Sequence, residues 1–194
     1  MAHAARAEPN AAGGFTKERY FRLVTDGVLS PDDRVELLEG VVVAMAPQGP
    51  RHEVAGDLVA EALRRVIGTR AAVRVERSLV AGRRSVPQPD VAVVPGRLRD
   101  YVRSRPTTAL LVVEVADASL PQDRITKAWI YAGAGIPEYW IVNLRDDQVE
   151  VFRQPDRRGR LYRERRIARP GERLDLVSLP GATVAVDDLL PAAD

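Results

Sequence analysis

The alternation of apolar and polar positions predicts a chain of mixed helices and strands. Apolar residues recur every three to four positions over 52–67, which is typical of an amphipathic helix, and Gly68 is placed to end it. Further helices are expected over 15–24 and 121–134, and one helical turn over 34–38. Short runs rich in valine predict strands. These runs cover 41–46, 73–80, 91–94, 109–115, 138–142 and 148–153.

The order of these elements predicts a mixed sheet. The run at 109–115 is the most apolar of the chain and suits a strand buried on both faces. It is followed by a helix and another strand, and such a crossover requires parallel pairing. We therefore expect an α/β (α+β) protein with a mixed β-sheet flanked by helices. An N-terminal helix and hairpin and a C-terminal β extension would complete one domain over 15–190, after a disordered tail over 1–14.

Composition narrows the possible function classes. The 194 residues contain no cysteine, which excludes disulfides, thiolate metal sites and cysteine nucleophiles. No apolar run approaches the roughly 20 residues needed to span a bilayer, so we expect no membrane partner and a cytoplasmic location. The formal net charge of +2 does not by itself indicate nucleic-acid binding. Arginines crowd 157–166, and either a solvated surface or a phosphate-facing patch explains them.

Two carboxylates occupy unusual positions for charged groups. Asp90 stands at the entry of a buried strand, and Glu114 interrupts the most apolar strand. A buried carboxylate needs a partner or a metal. An ion pair with an arginine could explain Glu114 alone, and turn chemistry could explain the Pro89-Asp90 pair alone. On neighbouring strands the two acids would instead form a pair of hard oxygen ligands suited to Mg²⁺ or Mn²⁺.

The helix that follows Glu114 carries a third polar group. Asp123, Lys127 and Tyr131 are four residues apart and share one helix face. A surface ion pair would explain the first two residues. However, lysine is otherwise present only at Lys17, so an internal lysine in a helix calls for an explanation. The residues expected to face the core from this helix are Ile125, Trp129 and Ala132.

At this point the sequence resembles the Uma-type family of restriction endonucleases, which belongs to the PD-(D/E)xK nuclease superfamily. The resemblance extends from about Phe15 to Arg153 and lies in an ordered set of motifs, above all Gly-Ile-Pro-Glu-Tyr-Trp-Ile-Val after the helix. The set comprises Glu36-Leu-Leu-Glu39-Gly40, His52, Pro89-Asp90-Val91, Val112-Val113-Glu114-Val115, Asp123, Lys127, Tyr131 and 135–142.

The resemblance implies a restriction-endonuclease-like core and a catalytic site. Asp90 and Glu114 would bind the metal together with the backbone carbonyl of Val115. The superfamily places a lysine two residues after the glutamate, where this chain has Ala116, so Lys127 would take over its role. The implied accessory residues are Glu39, His52, Glu53, Asp123 and Tyr131. A turn would equally explain Glu39, and a structural place at a helix N-terminus would equally explain His52.

The implied function is metal-dependent hydrolysis of phosphodiester bonds by an endonuclease, with DNA favoured over RNA and a homodimer as the acting form. Arg83, Arg84 and Arg124 would hold the nucleic-acid backbone. The alternative is a catalytically inactive protein of the same fold that binds nucleic acid or a partner protein. Ala116 and the near-neutral charge favour it. A structural oligomer subunit, with its aromatic residues only in the core or an interface, is the third possibility.

Overall fold

The computed structural model describes residues 14–192, and a six-stranded mixed sheet lies at its centre. Its two central strands, Leu111–Ala116 and Glu138–Asn143, run parallel, and the other neighbouring pairs in this sheet run antiparallel. In spatial order the strands are β3 (Ala72–Val75), β4 (Val91–Val94), β5 (Leu111–Ala116), β6 (Glu138–Asn143), β7 (Gln148–Asp156) and β8 (Leu161–Ala168). The mixed sheet expected from the order of elements is therefore present.

The crossover between β5 and β6 is helical, as the sequence predicts, but its helix is not uniform. It begins as α3 (Leu120–Gln122), widens into a π-helical turn over Asp123–Lys127 and continues as α4 (Ala128–Ala134). Gly135 ends the helix in the left-handed conformation that favours glycine, with φ of 76°.

Each face of the sheet is covered by a separate apolar layer, because successive residues of a strand point to opposite faces. Val91, Val113 and Trp140 face helix α2 (Pro50–Ile67) and the C-terminal hairpin. That hairpin consists of β9 (Arg173–Asp175) and β10 (Thr183–Ala185). Ala92, Val112 and Ile141 face α4 and the N-terminal hairpin instead. Glu114 alternates with Val113 and Val115, so it points to this second face.

The N-terminal part of the described chain packs as a helix against a hairpin. Helix α1 (Lys17–Thr25) buries Tyr20, whose hydroxyl donates a hydrogen bond of 2.9 Å to the carbonyl of Val35. The hairpin consists of β1 (Val35–Leu38) and β2 (Val41–Ala44). The helical turn predicted over 34–38 is therefore wrong. Cross-strand pairing with the apolar run that follows outweighs the local preference of five residues.

Three other expectations differ from the structure. The strand predicted over 73–80 ends at Val75, because Glu76 adopts a positive φ of 47° that breaks the extended run. Ile125 and Trp129, expected in the core, are 72% and 40% exposed, since the π turn rotates this part of the helix. The short C-terminal segments include β8, which extends the main sheet.

Of the predicted tail, residues 1–13 lie outside the described residues, and one domain over 15–190 stays a prediction.

Candidate active site

Asp90 and Glu114 converge because of the register between β4 and β5. Val91 lies opposite Val113, so the next positions, 90 and 114, also lie opposite each other on one face of the sheet. Both side chains are buried, with 7% and 2% exposure. The backbone carbonyl of Asp90 accepts a hydrogen bond of 2.9 Å from the N–H of Glu76, which continues the pairing with β3. Towards β5 the side chain bonds instead, and its Oδ2 accepts a hydrogen bond of 2.7 Å from the backbone N–H of Val115.

Lys127 lies at the centre of the buried charges. Its Nζ is 3.0 Å from Oε2 of Glu114 and 3.6 Å from Oδ1 of Asp123. The π turn between Asp123 and Lys127 brings both side chains inward, and such turns are frequent at functional sites. One helical turn later, the hydroxyl of Tyr131 donates a hydrogen bond of 2.6 Å to Oε1 of Glu114. The helix face predicted from the spacing of four residues is therefore directed at Glu114.

A further carboxylate, that of Glu36, reaches the same place from β1. Its Oε1 is 3.7 Å from Nζ of Lys127, and its Oε2 accepts a hydrogen bond of 3.1 Å from the backbone N–H of Gln88. Glu36 matches the family motif, but the sequence did not single it out as a site residue. Like Glu114, it is a lone charge inside an apolar strand, and that signal would have identified it. We call Glu36, Asp90, Glu114 and Asp123, with Lys127 among them, the acidic cluster.

His52 closes one side of the cluster from the first turn of α2. Its Nε2 is 3.5 Å from Oδ2 of Asp90. Burial lowers the pKa of His52, although a hydrogen bond to the backbone of Val115 opposes that effect. His52 is therefore neutral at neutral pH. The backbone of Val115 thus faces both Asp90 and His52, just beyond the last paired residues of β4 and β5.

The acidic cluster carries more negative than positive charge. Burial, together with the charge of Glu114, raises the pKa of Asp90 well above its usual value and that of Asp123 to about 7. Burial also raises the pKa of Glu36, and Lys127 only partly offsets it. For Lys127, burial lowers the pKa, but the surrounding carboxylates outweigh burial and raise it. The lysine is thus a permanent cation, while the carboxylates compete for protons.

A cleft of about 220 Å³ adjoins the acidic cluster. Gln48, in the loop before α2, donates a hydrogen bond of 3.2 Å from Nε2 to Oδ1 of Asp90. Asp117 and Ser119, directly after β5, line the opposite wall. Of the cluster, Glu36, Asp90, Glu114 and Lys127 line this cleft, together with Val115, whereas Asp123 does not. A ligand in the cleft would meet carboxylate oxygens and one ammonium group.

The donors in this cleft fit a hard divalent cation. Asp90, Glu114 and the carbonyl of Val115 offer the oxygen ligands that magnesium and manganese prefer. Burial, and then the charge of Glu114, raise the pKa values of Asp90 and Asp123, so a cation in the cleft would stabilise the ionised form of these acids. Within residues 14–192, no three histidine or carboxylate side chains are arranged to hold an ion together. Any ion here would therefore use two carboxylates with backbone and solvent oxygens.

Several residues implied by the resemblance lie elsewhere. Glu39 follows β1 in a turn, with φ of 48°, and accepts hydrogen bonds from Ser85 and Arg160 rather than joining the cluster. Glu53 is exposed on α2. Arg124 forms a bidentate ion pair with the buried Glu150, so its guanidinium is held by the fold. The structure thus brings together Asp90, Glu114, Lys127, Asp123, Tyr131 and His52. Glu53 is not in the cleft of the cluster, but it lines an adjoining cavity with His52 and Asp90. The structure places Glu39, Arg83, Arg84 and Arg124 away from the cluster.

A match to a family model decides to which protein family the chain belongs. Residues 18–187 match the family model described as "Uma2: Putative restriction endonuclease". The chain belongs to the Uma2 family. Membership makes nucleic acid the expected substrate, and proteins of restriction-endonuclease type generally use divalent metal ions. No curated protein matches the chain. No helix among residues 14–192 is long and apolar enough to cross a membrane.

A solved structure shares the fold of this Uma2 protein. It is the crystal structure of a "putative nuclease belonging to DUF820" from Anabaena variabilis ATCC 29413. The two chains are 16% identical, with 90% of this chain and 97% of that chain covered and a TM-score of 0.69. At this identity the likeness shows the fold alone, and it confirms the predicted fold class.

Proposed function

We propose that this Uma2 protein is a metal-dependent endonuclease that hydrolyses phosphodiester bonds, with DNA as the favoured substrate. The observation that carries the proposal is the acidic cluster beside the cleft, in which three buried carboxylates lie within 3.7 Å of one lysine and a fourth, that of Asp90, lies opposite Glu114. Burying so much like charge is unfavourable unless a cation or protons compensate it. A fold maintained by packing alone would gain nothing from this arrangement, whereas phosphodiester hydrolysis uses it.

Asp90, Glu114 and the backbone carbonyl of Val115 would hold Mg²⁺ or Mn²⁺. When bound, a divalent ion supplies activation of water and stabilisation of charge on a phosphoryl oxygen. The two carboxylates are fixed before any ligand arrives. Tyr131 orients Glu114 through its hydroxyl, and the N–H of Val115 orients Asp90. Fixed donors of this kind lose little freedom when they take up a charged ligand.

Lys127 acts as a cation and not as a base. Its raised pKa keeps the ammonium group protonated at neutral pH, so it can neutralise negative charge that develops on the phosphoryl group. His52 has a lowered pKa and lines the cleft, so its neutral ring can accept a proton from water. The two groups thereby divide charge stabilisation and proton transfer between them.

Cleavage by the purified 194-residue chain tests this proposal. Plasmid and single-stranded DNA are incubated with Mg²⁺, with Mn²⁺ or with a chelator, and the products are separated on gels. We expect cutting with a divalent ion and none with the chelator. Asp90→Asn should abolish cutting, whereas the matched control Glu61→Gln, an exposed carboxylate on α2 away from the cleft, should retain it. Equal cutting by Asp90→Asn and wild type would contradict the assignment.

A second candidate function is nucleic-acid or partner-protein binding without catalysis. Ala116 stands where the superfamily has its lysine, and the Lys127 ammonium already neutralises Glu114 at 3.0 Å. This lysine could replace the metal rather than assist it. The candidate predicts DNA binding without cutting in any divalent ion, and without any effect of Asp90→Asn on that binding. The homodimer implied by the resemblance also stays a prediction, which the mass in solution would test.

A further inference from the structure

A second cavity, of about 360 Å³, lies apart from the acidic cluster and is rich in cations. Five cationic side chains line it, and we call it the arginine cavity. They are Lys17, Arg83, Arg84, Arg157 and Arg160. Glu39 is the one carboxylate in its lining, and Val80 and Ile130 contribute an apolar wall. The cations come from three sequence-distant segments, so only folding brings them together.

Glycines hold three of these arginines in place. A Cβ at Gly40 would lie 2.5 Å from Nη2 of Arg84, and one at Gly135 would lie 2.9 Å from Cδ of Arg157. A Cβ at Gly133 would lie 3.1 Å from Cγ of Arg160, whose guanidinium also stacks 3.9 Å from the ring centroid of Trp129. The arginine side chains therefore lie flat against backbone, and less rotamer freedom remains to be lost when a ligand binds.

The fold itself neutralises only part of this charge. Glu39 pairs with Arg160 at 3.1 Å, and its carbonyl accepts a hydrogen bond of 3.2 Å from Arg84. Among residues 14–192, Arg83 and Arg157 form no ion pair within 4.0 Å. The C-terminus of α4 favours nearby cations, which would account for Arg157 and Arg160. It does not account for Arg83, which comes from the loop before β4. The excess charge suits an anion.

We propose that the arginine cavity binds backbone phosphates of the nucleic acid at a distance from the bond that is cut. This inference rests on the proposed function and extends it. The planar guanidinium fork matches phosphate oxygens in pairs. A volume of 360 Å³ lies within the roughly 300–1,000 Å³ typical of sites for ligands much larger than inorganic phosphate. The apolar wall of Val80 and Ile130 would meet the sugar or base beside the phosphate.

The fold also sets the spacing between the two sites. Glu36 belongs to the acidic cluster, and Glu39 lines the arginine cavity three residues further along. Glu39 lies in the turn just beyond β1, and three residues of chain span at most about 10 Å, so the backbones of the two sites are no further apart than this. One nucleic-acid strand advances about 3.4 Å per nucleotide along the helix axis. A strand of about three nucleotides or more therefore reaches from one site to the other.

Binding without cutting tests this inference. Fluorescence anisotropy measures the affinity of a labelled single-stranded oligonucleotide in a chelator, for wild type and for Arg83→Gln/Arg157→Gln. Both arginines are exposed, so the double variant should fold, which circular dichroism verifies. The control Arg99→Gln/Arg103→Gln removes the same charge from an exposed surface outside the cavity. We expect about a tenfold weaker affinity and a salt slope smaller by about 1.4 for the cavity variant, for two lost phosphate contacts.

Equal effects of the cavity variant and the control would overturn the inference, because general attraction would then explain the binding. A second arm titrates inorganic phosphate by calorimetry. If wild type binds phosphate, the cavity variant does not, and the oligonucleotide affinities are equal, the cavity is a site for free phosphate and the inference is wrong. Cleavage is recorded separately. Loss of affinity in the cavity variant, without cutting by wild type, would support the inference and contradict the proposed nuclease activity.

Discussion

Replacing Lys127 by methionine removes the one ammonium group from the acidic cluster while keeping most of the side-chain volume. Lys127 is 7% exposed, and its Nζ lies within 3.7 Å of three carboxylates. In Lys127→Met these carboxylates are left to one another. They must take up protons, bind a cation from solution or repel one another inside the fold.

The stability that Lys127→Met is expected to lose follows from the distances between Lys127 and the carboxylates. At 3.0 Å and an effective dielectric constant near 20, the attraction between Lys127 and Glu114 alone is about 5 kcal/mol. The net loss of stability is smaller, because the variant has no ammonium group to dehydrate on folding and its carboxylates can bind protons. Removing one partner from a buried ion pair typically costs about 3–5 kcal/mol. We expect a loss of this size in the free energy of unfolding at pH 8.

The loss should depend on pH in a defined direction. Without the ammonium group, the pKa values of the folded carboxylates rise further, so the folded variant binds more protons than the unfolded chain between about pH 4 and 8. Stability then falls as pH rises through this window. The destabilisation by Lys127→Met should therefore be smaller at pH 5 than at pH 8.

Urea unfolding at pH 5 and pH 8, with a chelator present, measures this effect. Lys17→Met is the matched control, since Lys17 is the other lysine of the chain and its ion pair with Glu18, at 3.9 Å, is solvent-exposed. The control should change stability by about 0.5 kcal/mol or less at either pH. If both variants lost the same stability, or if the stability loss of Lys127→Met did not depend on pH, the buried charges assigned to the acidic cluster would be wrong.

The remaining predictions concern single groups of the acidic cluster. Asp123 has a pKa of about 7 in the folded protein, so it contributes stability at low pH that is lost as pH rises towards 8. Asp123→Asn should therefore lose less stability than wild type between pH 5 and pH 8, which urea unfolding midpoints measure. Affinity for Mn²⁺ should increase from pH 6 to pH 8, and binding should release protons, since the raised pKa values of Asp90 and Asp123 make protons compete with the ion. Calorimetry in two buffers measures the affinity and the proton release. An affinity that does not change with pH would contradict this competition. Tyr131→Phe should cost about 1–2 kcal/mol in urea unfolding, because Glu114 loses a buried hydrogen bond, while a change no larger than that of Tyr101→Phe would show that the bond is unimportant.

The sequence predicts the parts of this molecule that depend on local patterns. The crossover from β5 to β6 follows from one apolar run, one helical period and a second apolar run. The pairing of Asp90 with Glu114 follows from their places in neighbouring strands. The common face of Asp123, Lys127 and Tyr131 follows from the spacing of four residues. These inferences need no knowledge of distant contacts.

Other features depend on tertiary contacts that a local pattern does not contain. Residues 34–38 form a strand because the following run pairs with them, and without that strand the inward direction of Glu36 could not be derived. The π turn that exposes Ile125 leaves no signal in the helical spacing. The arginine cavity combines cationic side chains from three distant segments, so the sequence indicated only local arginine clusters.

The most direct test of the proposed metal site is the anomalous scattering of manganese in a crystal of the full chain. Data collected near the manganese absorption edge, from wild type and from Asp90→Asn, locate the ion without reference to activity. We predict a peak at about 2.1 Å from carboxylate oxygens of Asp90 and Glu114, in the wild type alone. No peak in the cleft, or an undiminished peak in Asp90→Asn, would contradict the assignment of these two acids as metal ligands.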